Sequence, residues 1–217
     1  MSLSLEAAAA WALGITLGWI TPQNAAEAEL RPQIVKTAVD VVYDPWEPPL
    51  FPPAAEQAAG ASHGREQTLL LLLAIVRYES DFRVSVDEGL VRGKAGDVCG
   101  MQIVVPRGTR ILLTADLYKR ITSKHAGWAD AFTAEDLVPG SIPGRRENCL
   151  RAGLHMMRES MRVCRSLSLY ARGDCKPDQN AKYRELLARE TFKRHPPPVP
   201  PYGGIGTSRI EMQMETN

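Results

Sequence analysis

The sequence predicts a mainly α fold, and three observations predict it. Apolar residues recur at helical spacing, most clearly at Leu150, Gly153, Leu154, Met157, Met161 and Cys164. No segment shows the alternation of a half-buried strand apart from the short run MQIVV that begins at Met101. The prolines concentrate in a link between Pro45 and Pro53 and in a tail that begins at Pro196, which leaves long helix-compatible stretches between them.

The first element is the apolar stretch Ala7 to Ile20, read as a packing or interfacial helix. It is shorter than the roughly 20 residues of a membrane-spanning helix. No Lys or Arg precedes it and Glu6 stands at its start, unlike a secretory signal, although NAAEAEL offers a small-x-small cleavage site. A cleaved signal segment is therefore the second reading. AEAELRPQIVKTAVDVV follows as another helix. The link YDPWEPPLFPPAAEQ is expected to run extended along the body through Trp46, Leu50 and Phe51. Residues 1–60 thus read as an N-terminal helical and proline-rich extension.

Residues 61–195 read as the core domain. A leucine-rich helix is expected from Gly64 to about Ser80, then the loop VDEGLVRGKAGD. TADLYKRITSK reads as a helix capped by Thr114, GSIPGRREN as a loop, and the stripe from Leu150 to Cys164 as a core helix. AKYRELLARETFKR gives the last helix. Residues 196–217 form a proline- and glycine-rich tail, read as an exposed terminus, with a partner-binding arm as the alternative.

Composition narrows the function. Across 217 residues, 26 Lys and Arg balance 25 Asp and Glu, and aromatics are 6%, which argues against a nucleic-acid partner. The histidines His63, His125, His155 and His195 have no ligand spacing, so neither metal nor cofactor is expected. GGIG at 203–206 lacks the strand and helix of a phosphate loop. Arg145, Arg146, Arg151, Arg158 and Arg162 read as a solvated helix side, with a basic face toward an anionic polymer as the alternative.

Cys99, Cys149, Cys164 and Cys175 contain no C-x-x-C pair, which favours disulfides and an oxidising compartment over a metal site; buried free thiols are the alternative. Fifteen residues of continuous helix separate Cys149 from Cys164 by roughly 22 Å, too far for the Cα spacing of about 7 Å that a disulfide allows. The local solution is Cys164–Cys175 with Cys99–Cys149. The crossed solution, Cys99–Cys164 with Cys149–Cys175, stays open.

One carboxylate stands out. Glu79 follows the apolar run Leu69 to Val76 and shares a helical face with Leu72, Ile75 and Val76. Apolar surroundings disfavour the carboxylate and raise its pKa, the condition for a general acid near neutral pH. The plainer alternative is a residue turning out into solvent where the helix ends.

Downstream of Glu79-Ser80 come Gly100-Met101-Gln102 and, later, Tyr170 with Gly173. In that order and at these separations, the pattern resembles the lysozyme-like lytic transglycosylases, relatives of goose-type lysozymes, over roughly residues 64–190. The family pattern is a Glu-Ser pair ending a buried helix, a Gly-x-Met-Gln loop and a Tyr-Asn-x-Gly. The resemblance implies a lysozyme-like helical domain that cleaves the β-1,4 bond between N-acetylmuramic acid and N-acetylglucosamine. It implies Glu79 as acid and then base, without cofactor. Ser80 would orient the N-acetyl group or Glu79, Met101 and Gln102 would line the cleft beside Gly100, and Tyr170 would hydrogen-bond near Glu79. The chain departs from the pattern at Ala171, where Asn is usual; Arg172, the next residue, is the candidate replacement contact. Asp97 lies where goose-type lysozymes place an acidic residue, able to position a water, with a turn role as the alternative. The expected partner is peptidoglycan, together with virion or secretion-machine proteins docking on the extension and tail. The expected location is periplasmic or extracytoplasmic, or virion-associated with delivery to the periplasm. The rival class is an assembly protein that keeps the fold with weak or no activity.

Overall fold

Helices carry most of the described residues in a computed structural model that covers residues 3–45, 47–51, 63–92, 97–104, 111–112, 131–132, 134–138 and 144–198. In chain order they are α1 (Leu5–Trp19), α2 (Ala25–Val42), α3 (Gly64–Ser80), α4 (Val84–Asp87), α5 (Ala134–Leu137), α6 (Arg145–Cys164), α7 (Ser168–Arg172) and α8 (Gln179–Arg194). A two-residue antiparallel pair, β1 (Ile111–Leu112) with β2 (Ala131–Phe132), precedes α5. The mainly α class read from the sequence holds.

Side-chain caps start three of the long helices. Ser4 Oγ accepts from Ala7 N, Asn24 Oδ1 from Glu27 N and Asp178 Oδ1 from Ala181 N, each satisfying a donor that the first helical turn leaves free. A further long helix, α3, is buried on all sides from Leu69 to Val76, and so occupies the centre of the molecule. It touches α1, α2, α6 and α8, and its contact with α8 is the most extensive of the helix pairs.

The N-terminal helices share this core. Ala8, Ala12 and Ile15 of α1 and Ile34, Val35, Ala38 and Val39 of α2 belong to the same hydrophobic cluster as α3. Polar contacts fix α1 as well. Trp19 Nε1 donates to Thr191 Oγ1 and Trp11 Nε1 to His195 O, both at 3.1 Å. Leu3 N donates to the buried Glu66 at 3.1 Å. The packing-helix reading of the apolar stretch therefore accounts for these contacts. Among the described residues no helix is long and apolar enough to cross a membrane.

The proline link lies against the body through the half-buried Leu50 and Phe51, and Leu50 N donates to Thr68 Oγ1. Trp46 lies outside the described residues. The link's acidic residues correct one expectation. Arg151 is not on a solvated helix side: at 4% exposure it pairs with Asp44 (2.7 Å), Glu47 (3.1 Å) and Glu147 (2.8 Å). Arg158 also reaches Glu47, and Arg146 reaches Asp87. The physical reason is that the buried carboxylates of the link and α4 need countercharges, and α6 supplies them. Arg162 of this group behaves as expected, exposed beside Glu159.

Two smaller corrections concern boundaries. Arg145–Asn148 belongs to α6 rather than to a loop, because Gly144 turns the chain in the left-handed region and Glu147 and Arg151 pair along the helix. The run at Met101 forms no strand: one bridge, Val98 to Ile103, closes a tight turn. The helix expected at TADLYKRITSK and the GGIG segment lie outside the described residues, as does the tail beyond residue 198.

Both disulfides take the local solution, Cys99–Cys149 with Cα atoms 6.3 Å apart and Cys164–Cys175 with 5.1 Å. The first ties the Val98–Ile103 turn to α6. The second ties the end of α6 to the chain just after α7.

Candidate active site around Glu79

Glu79 is the penultimate residue of α3, with its side chain 18% exposed and Leu72, Ile75 and Val76 buried below it. The chain leaves the helix abruptly. Asp81 and Phe82 have φ of 52° and 58°, the left-handed region that costs side chains larger than glycine energy. The turn is held from both ends. Asp81 N donates to Arg77 O at 3.0 Å, and the Phe82 ring is wholly buried with the Arg31 guanidinium 4.9 Å from its centroid. Ser80 is buried too. Its hydroxyl donates to Val76 O at 2.7 Å and accepts from Phe82 N, so it secures the turn.

The second motif lies against the first. Val98 and Ile103 exchange backbone hydrogen bonds of 3.0 and 2.9 Å around Cys99, Gly100, Met101 and Gln102. Cys99 and Gln102 take φ of 61° and 48°, and Gln102 Nε2 donates to Cys99 O. A methyl at Gly100 would stand 3.6 Å from Val76 Cγ1 and 3.8 Å from Ser80 Oγ, so the loop backbone rests on the end of α3. Met101 is fully buried and fills the space over Gly153 of α6, where a Cβ would collide with it.

The third motif closes on the second. Tyr170 of α7 donates its hydroxyl to Met101 O at 2.6 Å. The sequence placed this hydroxyl on or near Glu79; its hydrogen bond goes to the loop backbone instead. Glu79 is still close enough for its charge to push the Tyr170 pKa upward, after burial and against Arg184. Arg172 is exposed and pairs with Asp174 at 2.8 Å.

The strongest partner of Glu79 is one the sequence reading missed. Arg184, on α8, forms an ion pair with Glu79 Oε1 at only 5% side-chain exposure. Its guanidinium sits 4.4 Å from the Tyr78 ring centroid and 5.8 Å from that of Tyr170. A signal existed. Arg184 falls on the stripe Ala181, Ala188 and Thr191, the buried face of α8, where an unpaired cation is costly.

Asp97 is half-buried, its Oδ1 has no hydrogen-bond partner, and its charge is felt at Glu79. The balance at Glu79 is a pKa raised above the usual carboxylate value. Burial is the main cause, Arg184 opposes it, and Asp97 adds to it. A half-buried carboxyl with a raised pKa, just before a positive-φ turn and within reach of the Asp97 charge, has the character of a group that gives and takes a proton.

Two grooves lie elsewhere. One of about 400 Å³ is walled by Phe51, Leu71, Met161 and Phe192, and one of about 540 Å³ by Trp11, Gly14, Gly18, Trp19 and Thr191; Glu79 lines neither. Among the described residues no cluster of His, Cys, Asp and Glu has the make-up of a metal site. No family model, no curated protein and no solved structure matches this chain.

Proposed function

We propose that this protein cleaves the β-1,4 bond between N-acetylmuramic acid and N-acetylglucosamine in peptidoglycan, with Glu79 as general acid and then base. One observation carries the reading. Motifs separated by about twenty and about seventy residues meet at the end of the helix that carries Glu79, with Gly100 against Ser80 and Val76 and Tyr170 bonded to Met101. The raised pKa of Glu79 supports the same role.

The step balances without cofactor. Glu79 transfers its proton to the glycosidic oxygen as the muramoyl C1–O bond breaks, and the N-acetylglucosamine side leaves with a free hydroxyl. The resulting carboxylate takes the proton of the muramoyl 6-hydroxyl while that oxygen bonds to C1, giving a 1,6-anhydro end. Water positioned by Asp97 is the competing acceptor and gives a reducing end instead. Paired disulfides fit an extracytoplasmic compartment for this chemistry, the periplasm or a particle that enters it.

A second reading, an assembly protein with a silent site, draws on the Glu79–Arg184 ion pair, which opposes protonation of the acid. Mass spectrometry of purified peptidoglycan after incubation with the wild type and with Glu79→Gln separates the readings. Anhydro-muropeptides from the wild type and a loss of about 10²-fold or more in the variant are the expected result. Reducing ends alone mean hydrolysis. No product from either protein leaves the assembly role.

A further inference from the structure

Arg184 has no counterpart in the motifs that define the site, yet it touches the group on which the site depends. It comes from α8, is 4% exposed, and reaches Glu79 Oε1 from between the faces of Tyr78 and Tyr170. Its Nε and Nη1 are buried and have no hydrogen-bond partner. Two aromatic rings flank it, and Glu79 is the anion it pairs with. A buried guanidinium left beside two rings without a carboxylate is penalised, so α8 and the end of α3 are held together by this pair.

We propose that Arg184 is the positioning residue of the Glu79 site, fixing the direction of the carboxyl and stabilising the charge that remains on it once its proton has gone to the leaving oxygen. The inference rests on the glycan-cleaving reading and names the residue that lets one carboxyl serve in both halves of the reaction. A carboxyl raised by burial alone holds its proton near neutral pH but is poorly stabilised once the proton has gone; a cation at one oxygen stabilises the ionised state needed for the second half. The groups facing Glu79 are Arg184 from α8, Asp97 from the loop before Val98 and Tyr170 from α7. On its own helix, Arg77 is committed to Asp81. Asp97 works against ionisation and Arg184 for it, so removing Arg184 leaves no opposing cation among these groups.

The test titrates the Glu79 carboxyl by carbon NMR in the full-length wild type, in R184K and in R184Q, assigned by its loss in Glu79→Gln. The same proteins are assayed for glycan cleavage across pH. In R184Q the Glu79 midpoint should rise by about one unit or more, and R184K should fall between it and the wild type. The high-pH limb of cleavage should move upward with it, while turnover falls more than substrate binding weakens. A Glu79 midpoint unchanged in a folded R184Q, or unchanged in R184K if R184Q does not fold, overturns the proposal. A midpoint shifted in R184Q, together with a wild type that cleaves no glycan, upholds the contact between the two groups and overturns the reaction in which it was placed.

Discussion

At Glu79 two opposed effects act on one proton. Burial against Leu72, Ile75 and Val76 raises the pKa, and Arg184 pulls it down without cancelling the rise. The sign for activity follows directly: the acid must be protonated to donate, so cleavage should fall as pH climbs through the raised pKa of Glu79. The measurement is the pH profile of kcat/KM on soluble glycan strands. A high-pH limb above the ordinary carboxylate range is expected, and activity rising steadily into the alkaline range would contradict the assignment. The buried run before Glu79 made this residue legible in the sequence, because helical spacing alone puts Leu72, Ile75 and Val76 beneath it. Arg184 was not legible in the same way. It sits 105 residues later, and the stripe of α8 puts it on the buried face without saying that Glu79 lies opposite. Tyr170 shows the same limit from the other side. Its place in the site could be read, but the acceptor of its hydroxyl, Met101 O, depends on how the loop backbone turns.

At the scale of elements, the loop that carries Gly100, Met101 and Gln102 is held by several constraints at once. It turns through positive φ at Cys99 and Gln102, closes through the Val98–Ile103 bridge, and is bonded to α6 by Cys99–Cys149. Closing a loop of 50 residues removes unfolded-state entropy equivalent to about 4 kcal/mol, against about 3 kcal/mol for the 11-residue loop of Cys164–Cys175. Replacing Cys99 and Cys149 together by serine should therefore lower the denaturant midpoint more than replacing Cys164 and Cys175. It should also reduce cleavage beyond any loss of folded protein, because the loop then loses its tie to α6. Equal loss of midpoint and unaltered cleavage would show that the loop is held by its hydrogen bonds alone. The helical pairing rule was sufficient to separate Cys149 from Cys164, since that argument uses only rise per residue. It did not choose between the local and crossed partners of Cys99, because that choice depends on where the loop lies against α6.

At the scale of the molecule, the N-terminal helices are part of the structure that holds α3. Leu3, Ala8, Ala12 and Ile15 are buried, Trp11 and Trp19 donate to the α8 end of the chain, and Leu3 N reaches Glu66. Deleting residues 3–20 would uncover one side of α3 and leave the Glu66 carboxylate short of a donor. The expected result is loss of cooperative unfolding, followed by circular dichroism during heating; a truncated chain that melts like the full one would identify α1 as a detachable leader. Arg151 and its carboxylates make the same point for the proline link, whose acidic residues are tied into α6 rather than left free in solvent.

The sequence by itself determined the mainly α class, the span of α3, the carboxyl at its end and the two downstream motifs. These follow from local periodicity and from chemistry carried by neighbouring residues. Only the tertiary structure decided that Arg184 faces Glu79, that Tyr170 bonds the loop instead of the acid, and that Arg146, Arg151 and Arg158 of α6 pair with carboxylates of the link and α4. Each of these is a contact between residues far apart in the chain. Such contacts are set by how packed helices orient their faces, and a one-dimensional pattern records which faces are apolar but not which of them meet.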